Sequence, residues 1–354
     1  MAETPRVYVT RELPGIAFEL LAEDAAVRVW SGELPPPREV LLEEAAEADA
    51  LLTLLTDRID RQIMEAAPRL RVISNMAVGY DNIDIEEATR RAILVTNTPG
   101  ILAKTTADFA FALLLAAARR VVEADRYTRE GRWQTWGPQI LLGQDIHDAT
   151  LGIVGLGGVG LEVAKRGRGF GMRVLYHDPS HKLREERRYG LAYVDMDQLL
   201  RESDFVSLHV PLTAETHHLI GERALATMKP TAVLVNTARG AVVDQQALYR
   251  CLKERRIAAA AIDVTEEEPI SLSDPLLELD NIIITPHIAS GSVGTRLRMA
   301  LMAVENVQTA LRGEVPAHCV NRAIVRRWRQ AMRTCLPASA RGRSACLPAG
   351  RAEM

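Results

Sequence analysis

Arg239, Glu268 and His287 each fall just past an apolar run with strand-like character. The runs are 232–236 in TAVLVNTARG, 257–264 in RIAAAAIDVTEEEP and 282–285 in NIIITPHIAS. In an open parallel sheet, side chains just beyond the carboxyl ends of the strands line the ligand crevice. A fixed cation, a carboxylate and an imidazole gathered there suit gripping an anionic substrate and moving a proton. Each alone has an ordinary alternative. Buried Arg–Glu pairs are often structural, a histidine beside proline is often a loop residue, and Glu266-Glu267-Glu268 reads equally as a solvated run. At three successive strand ends together, they favour the chemical reading.

A glycine turn stands upstream of them. Gly155-Leu156-Gly157-Gly158-Val159-Gly160 has GxGxxG spacing, directly after the apolar run 151–154 and at the start of a helical stretch over 159–169. Gly155 permits the tight turn, Gly157 lets backbone approach a pyrophosphate, and Gly160 allows close helix–strand packing. The helix N-terminus adds oriented N–H groups for phosphate charge. Asp178, in RVLYHDPS at the end of the next strand, lies 23 residues after Gly155. Its carboxylate can accept from both ribose hydroxyls and would repel a 2′-phosphate, so NAD(H) is expected in preference to NADP(H). Its alternative is a solvated loop aspartate, and His181, Lys182 and Arg184 nearby offer positive charge that would soften the preference. Hydride transfer to a 2-oxo acid then needs the carboxylate held, the carbonyl polarised and a proton delivered. Arg239 suits the first two and His287 the third, with Glu268 the candidate to pair with the imidazole.

The elements that must position these groups follow from the alternation of patterns. Over the first hundred residues, strand candidates at 6–10, 27–30, 50–54, 72–75 and 94–96 alternate with helical patterns at 38–48, 61–66 and 85–91. Asp84 followed by Glu87 has capping-box spacing. A long helix over 102–130 follows, after which the alternation restarts with strands at 151–154, 173–177 and 205–209 and at the three runs above. A last helix is expected over 295–311. Alternating β and α at this spacing means α/β architecture, here two doubly wound domains, with 97–100 and 289–294 as the crossing segments. Residues 322–354 hold eight arginines and one acidic residue, and 326–354 are expected to be a disordered Arg-rich tail.

The 354 residues suffice for two domains with proper cores, and 47% hydrophobic with 25% charged is ordinary for a globular protein. A net charge of −3 gives no reason to invoke nucleic acid or an acidic membrane surface. MAETPRVYVT has no basic segment followed by an apolar one, and the longest apolar run, 109–118, is too short to span a bilayer. Cys251, Cys319, Cys335 and Cys346 show no metal-ligand spacing and are expected as reduced thiols, so a cytoplasmic protein is expected. The remaining histidines (His147, His177, His181, His209, His217, His218 and His318) have no mutual spacing for a metal, and none is expected.

Taken together, NMAVGYDNIDIEEATRR, VTNTPGIL, TADFAFALLLAAARRVVEAD, GIVGLGGVG, NTARGAVVD, AIDVTEEEP and TPHIAS resemble the D-2-hydroxyacid dehydrogenase family, most closely its glyoxylate (hydroxypyruvate) reductases, over roughly residues 5–324. The resemblance implies a Rossmann NAD-binding domain over 99–288 and a flavodoxin-like substrate domain over 1–98 and 289–325. It places Arg239, Glu268 and His287 at the family's catalytic positions. It puts the backbone of Val78 and Gly79 on the substrate carboxylate beside Arg239, Leu55 near the substrate, and Asp263 by the nicotinamide carboxamide. Thr237 and Ala238 would line the cofactor and Pro211 would pass its adenine side. Trp136 matches a tryptophan that in related reductases reaches the neighbouring subunit's active site, implying a homodimer built on the cofactor domains; a packing aromatic is the alternative. The activity implied is NAD(P)H-dependent reduction of glyoxylate or hydroxypyruvate to glycolate or D-glycerate, the two domains closing over the substrate.

Three departures stand out. Gly158 occupies a position where many relatives carry Arg, Ala103 one where they usually carry Thr, and the Arg-rich tail has no counterpart. Other readings remain within reach. Phosphite dehydrogenases share the trio but carry Lys where this chain has Val78. Phosphoglycerate dehydrogenases add a regulatory domain that nothing here resembles. NAD-binding corepressors of the same fold share the trio and are separated only by turnover.

Overall fold

The computed structural model describes residues 3–335. They form two compact units, the first built from residues up to Pro99 together with those from Arg296 onward, the second from Gly100–Thr295. The crossing segments expected from the sequence are 97–100 and 289–294; the two units divide at Pro99/Gly100 and at Thr295/Arg296.

In the first unit the order is β1 (Arg6–Val9), α1 (Ala17–Asp24), β2 (Ala26–Val29), α2 (Arg38–Glu47), β3 (Ala50–Thr53), α3 (Arg61–Ala66), β4 (Val72–Asn75), α4 (Ile85–Arg90) and β5 (Leu94–Thr96). The strands are all parallel in the order β2-β1-β3-β4-β5, the flavodoxin-like arrangement. Central strands of a parallel sheet are covered on both faces and read as unbroken apolar runs; β3 and β4 are buried at every position. Tyr8, Leu51, Ile59, Ile63, Ile73 and Val95 belong to one core cluster of this unit. Asp60 caps α3 through the Gln62 and Ile63 N–H groups. Asp84 caps α4 by accepting from Glu87 N at 2.9 Å. The reciprocal arm of a capping box is not made, because the Glu87 carboxylate turns instead to Arg90 and Arg91.

The second unit begins with α5 (Ala103–Ala118) and α6 (Val121–Arg129). The single helix expected over 102–130 is therefore two. Arg120 adopts φ +52°, which ends α5, and its guanidinium turns forward to bond both carboxylate oxygens of Glu123 in the first turn of α6. There follow β6 (Thr150–Val154), α7 (Gly158–Gly169), β7 (Arg173–His177), α8 (Leu183–Tyr189), β8 (Leu191–Tyr193), α9 (Met196–Glu202), β9 (Phe205–Leu208), α10 (Glu222–Thr227), β10 (Val233–Asn236), α11 (Gln245–Lys253), β11 (Ala259–Ile262) and β12 (Ile282–Ile284). The parallel order β12-β11-β10-β9-β6-β7-β8 is the Rossmann order with a seventh strand at one edge. One face is packed by Phe111, Leu114, Val163 and their neighbours, the other by Leu199, Leu248, Leu252 and theirs. Helices thus cover both faces, and the sheet reverses its order between β6 and β9, where a doubly wound fold opens a ligand crevice.

The chain passes back to the first unit within α12 (Val293–Leu311) and ends its described part with α13 (Val325–Cys335). This last helix overturns the expectation of disorder from 326. Ile324, Trp328 and Met332, each four residues apart, are all buried, and Trp328 Nε1 donates to the Arg71 carbonyl at 3.0 Å. The arginines Arg326, Arg327 and Arg329 take the exposed face. A high arginine content had hidden an i, i+4 apolar stripe. Residues 336–354 of the expected tail lie outside the described residues.

Candidate active site

β6 runs directly into the glycine turn, and two positions there admit nothing but glycine. Gly155 has φ +91°, and a Cβ on it would stand 2.7 Å from the His209 carbonyl oxygen. A Cβ on Gly160 would stand 2.1 Å from the Gly155 carbonyl oxygen, so α7 can start this close to its strand only with glycine there. Gly157 is different, because a Cβ there would meet nothing within 4 Å. Gly157 is also the N-cap of α7 and offers no side-chain cap, so the first-turn N–H groups are left without a capping side chain. Leu156 is buried and Val159 packs against the core beneath. A Cβ on Gly158 would lie 3.7 Å from the Ala103 Cβ, so the two sequence departures are neighbours across α5 and α7.

Asp178 sits at the end of β7, tied to the glycine turn by the Leu156 N–H, which donates to its Oδ2 at 2.9 Å. Its Oδ1 accepts from the Ser180 N–H at 3.0 Å and hydroxyl at 2.9 Å, and Lys182 Nζ lies 3.4 Å away. Partial burial works to raise this carboxyl. The Ser180 and Leu156 donors and the Lys182 charge outweigh it and hold Asp178 below the usual carboxylate range. On the other side of the turn, His209 follows β9 directly, with its Nε2 2.8 Å from the Ser207 hydroxyl. Burial pushes its imidazole down to about 3, so it is neutral at ordinary pH. Pro211 is exposed, and its carbonyl accepts from Thr216 Oγ1 at 2.6 Å.

Thr237, Ala238 and Arg239 form the turn after β10, and the buried Asn236 shapes it. Its Oδ1 accepts from the Ala238 N–H at 3.0 Å, and its Nδ2 donates to the Arg239 carbonyl at 2.9 Å. Arg239 also donates from its guanidinium to the Ala238 carbonyl at 2.8 Å. A Cβ on Gly240 would stand 1.9 Å from the Thr265 carbonyl oxygen, so this turn presses directly on the loop after β11. Among the described residues, the Thr237 hydroxyl is buried without a hydrogen-bond partner. An orphaned hydroxyl, an open cradle at Gly157 and a carboxylate at the end of the second strand fit a dinucleotide. The α7 N–H groups would hold its pyrophosphate and Asp178 its adenosine ribose.

His287 follows β12 with φ +53°, an uncommon conformation outside glycine. Its Nδ1 lies 2.7 Å from Glu268 Oε2, and Glu268 Oε1 accepts from the Thr265 N–H at 3.3 Å. A carboxylate only accepts, so Nδ1 carries the hydrogen and Nε2 is left for exchange with a ligand. The His287 N–H donates to the Asp263 carbonyl at 2.9 Å. The Asp263 side chain, 1% exposed, takes Thr285 Oγ1 at 2.6 Å, Ile288 N at 2.9 Å and Ala289 N at 2.7 Å. Asp263 is thus the clamp on the loop that carries His287, a part the sequence did not suggest. The rest of the acidic run is divided. Glu266 accepts from His218 Nε2 and from Gln245 N, both at 2.9 Å, and Glu267 is exposed.

In the first unit, Leu55 lies half-buried in the loop after β3, and Val78 and Gly79 lie in the loop after β4. Asn82 joins the two loops, donating from Nδ2 to the carbonyls of Leu54 at 3.0 Å and Asp57 at 2.8 Å. Its Oδ1 accepts from Asn75 Nδ2 at 3.1 Å. The sequence reading passed over both asparagines; DN after a strand marks a turn, but not what the side chain holds. Trp136, in the second unit, is 81% exposed. Among the described residues, no group of three His, Cys, Asp or Glu is placed to hold a metal ion.

Comparison with known proteins identifies the family. Residues 111–289 match the family model of the D-isomer specific 2-hydroxyacid dehydrogenase NAD binding domain. The chain is 56% identical over 323 residues to a glyoxylate reductase of Korarchaeum cryptofilum, covering 91% of this chain and 97% of that one. Among solved structures it is similar to a protein of Thermus thermophilus, with a TM-score of 0.85 and 46% identity over 89% of this chain and 99% of the other. It is also similar to an NADPH-dependent glyoxylate/hydroxypyruvate reductase of Sinorhizobium meliloti in complex with NADP and malonate. That likeness has a TM-score of 0.78 and 29% identity over 91% and 98% of the two chains.

Proposed function

The chain belongs to the D-isomer specific 2-hydroxyacid dehydrogenase family, and from that premise we propose that this NAD(P)-dependent oxidoreductase reduces glyoxylate and hydroxypyruvate to glycolate and D-glycerate, with NADH preferred. The observation that carries the proposal is the Glu268–His287 pair, 2.7 Å apart on the carboxyl edge of the sheet that carries the dinucleotide turn. Bound NADH supplies the hydride. Glu268 keeps the hydrogen on Nδ1, and Nε2 delivers its proton to the oxygen that becomes the alcohol. Arg239 offers a planar fork to the carboxylate and polarises the carbonyl. The Val78 and Gly79 N–H groups bind the substrate carboxylate. Asp178 favours NADH by opposing a 2′-phosphate, and Lys182, 3.4 Å from its Oδ1, tempers that preference.

The protein is further proposed to act in the cytoplasm as a homodimer. No described helix is long and apolar enough to cross a membrane. Trp133, Trp136 and Leu142 are exposed in one stretch of the second unit. Apolar surface gathered in this way marks an interface.

The test is steady-state oxidation of NADH and NADPH with glyoxylate, hydroxypyruvate, pyruvate and phenylpyruvate, for wild type and His287→Ala. Rapid turnover of the first two, NADH preferred, with kcat lost and NADH binding kept in His287→Ala, is the expected result. Near-normal turnover by the variant removes His287 as proton donor. Tight NADH binding by wild type without turnover moves the protein to a sensing role.

A further inference from the structure

In the loop after β4, three successive carbonyls are engaged by the body of the first unit. The Ala77 carbonyl accepts from the Thr98 N–H at 2.8 Å, the Val78 carbonyl from Asn97 Nδ2 at 2.8 Å, and the Gly79 carbonyl from Asn75 Nδ2 at 2.9 Å. A trans peptide is planar, with its N–H directed opposite to its C=O. Holding the Ala77 and Val78 carbonyls inward therefore turns the Val78 and Gly79 N–H groups outward, side by side. Neither N–H has an acceptor among the described residues. Successive N–H groups facing one way form an anion-binding concavity.

Asparagine side chains do this because each can donate and accept at once. Asn75 accepts from Thr53 Oγ1 at 3.1 Å while donating to Gly79 and to Asn82. Asn82 passes the constraint to the loop of Leu55 through the Leu54 and Asp57 carbonyls. The Leu54 N–H is held in turn by Asp57 Oδ2 at 2.7 Å. Two loops that would otherwise move independently are fixed as one piece.

We propose that Asn97, Asn75 and Asn82 are positioning residues that set the N–H cradle for the substrate carboxylate, Asn97 by fixing the Val78–Gly79 peptide. The inference rests on the proposed 2-oxo acid reading and deepens it. None of the three asparagines needs to touch substrate; each acts through a backbone carbonyl.

The experiment compares wild type with Asn97→Ala and Asn82→Ala. It reads KM and kcat for glyoxylate, Ki for oxamate (an unreactive anion of 2-oxo acid shape), Kd for NADH by fluorescence, and Tm. A cradle that loses one positioning hydrogen bond should bind the carboxylate about tenfold more weakly. Asn97→Ala should therefore raise the glyoxylate KM and oxamate Ki together by about tenfold, leaving NADH affinity unchanged and kcat changed far less. Asn82→Ala should do the same with a lower Tm, since it frees two carbonyls; Asn97, half-buried, leaves the fold intact. An unchanged oxamate Ki in Asn97→Ala, with wild type binding oxamate, overturns the inference alone. So does a rise in NADH Kd equal to the rise in KM. Failure of wild type to bind any 2-oxo acid overturns the parent reading and this inference with it.

Discussion

Replacing Asp263 by Asn tests how His287 is held. The Asp263 carboxylate is almost fully buried and surrounded only by donors: Thr285 Oγ1 and Ile288 N on Oδ1, Ala289 N on Oδ2. An amide keeps the shape but turns one acceptor into a donor. Its least costly placement puts the NH2 against the Ala289 N–H, leaving that buried donor unsatisfied and removing the charge from the other two bonds. A hydrogen bond to a charged group is worth about 1.5–3 kcal/mol, so a loss of about 3 kcal/mol is expected for the loop. That is comparable with the roughly 1–3 kcal/mol stored by a side-chain-bearing residue in the left-handed region, where His287 sits at φ +53°. The loop should therefore relax, carrying Nε2 away from its working position. A displacement near 1 Å costs about 100-fold in rate. Asp263→Asn should lower kcat about 100-fold, with NADH Kd changed by less than about threefold and a Tm lower by several degrees. Stopped-flow single-turnover rates with saturating NADH and glyoxylate make the measurement. A variant with wild-type kcat and an intact fold refutes the clamp. A loss explained wholly by weaker NADH binding assigns Asp263 to the coenzyme instead.

Three further outcomes are expected. Asp178, held below the ordinary carboxylate range by Ser180, Leu156 and Lys182 despite partial burial, stays ionised from pH 5 to 9. The NADH Kd should be flat across that window, and Asp178→Ala should bring the two coenzymes together at pH 8, where the 2′-phosphate is fully ionised; an NADH Kd that rises between pH 7 and 5 contradicts it. His209, pushed down to about 3 by burial, binds its proton more readily unfolded than folded, with an unfolded value near 6.5. Its contribution is complete above about pH 6.5 and is lost as pH falls toward 3, on the order of 2 kcal/mol by pH 5. Urea melts at pH 7 and 5 should show that loss in wild type and a smaller one in His209→Gln. Trp328→Ala removes a side chain that is 1% exposed and its bond to Arg71, which should cost about 3–5 kcal/mol. An unchanged denaturation midpoint would return α13 to the status of a dispensable tail.

Legibility followed the range of the interactions involved. Buried parallel strands such as 72–75 and 173–177 stand in the sequence as apolar runs, and their limits coincide with β4 and β7. The short edge strand β8, with only Leu191 buried, has no such signature and was missed, as were α8–α11. The break at Arg120 was invisible because Arg is a good helix former; the turn is fixed by φ +52° and the Glu123 pairing. In 326–335, charge masked a buried stripe of every fourth residue.

The sequence by itself determined the α/β alternation, the glycine turn with its following aspartate, and the placing of Arg239, Glu268 and His287 after strands. Those are matters of local periodicity and of backbone geometry that only glycine allows at Gly155 and Gly160. Tertiary structure alone decided how the chemical groups are held. Asp263 reaches Ala289 across 26 residues, Asn97 reaches Val78 across 19, and Trp328 reaches Arg71 across 257. Such bonds depend on which loops the parallel sheets set side by side, and a donor or acceptor in sequence carries no mark of its partner until the strands have paired.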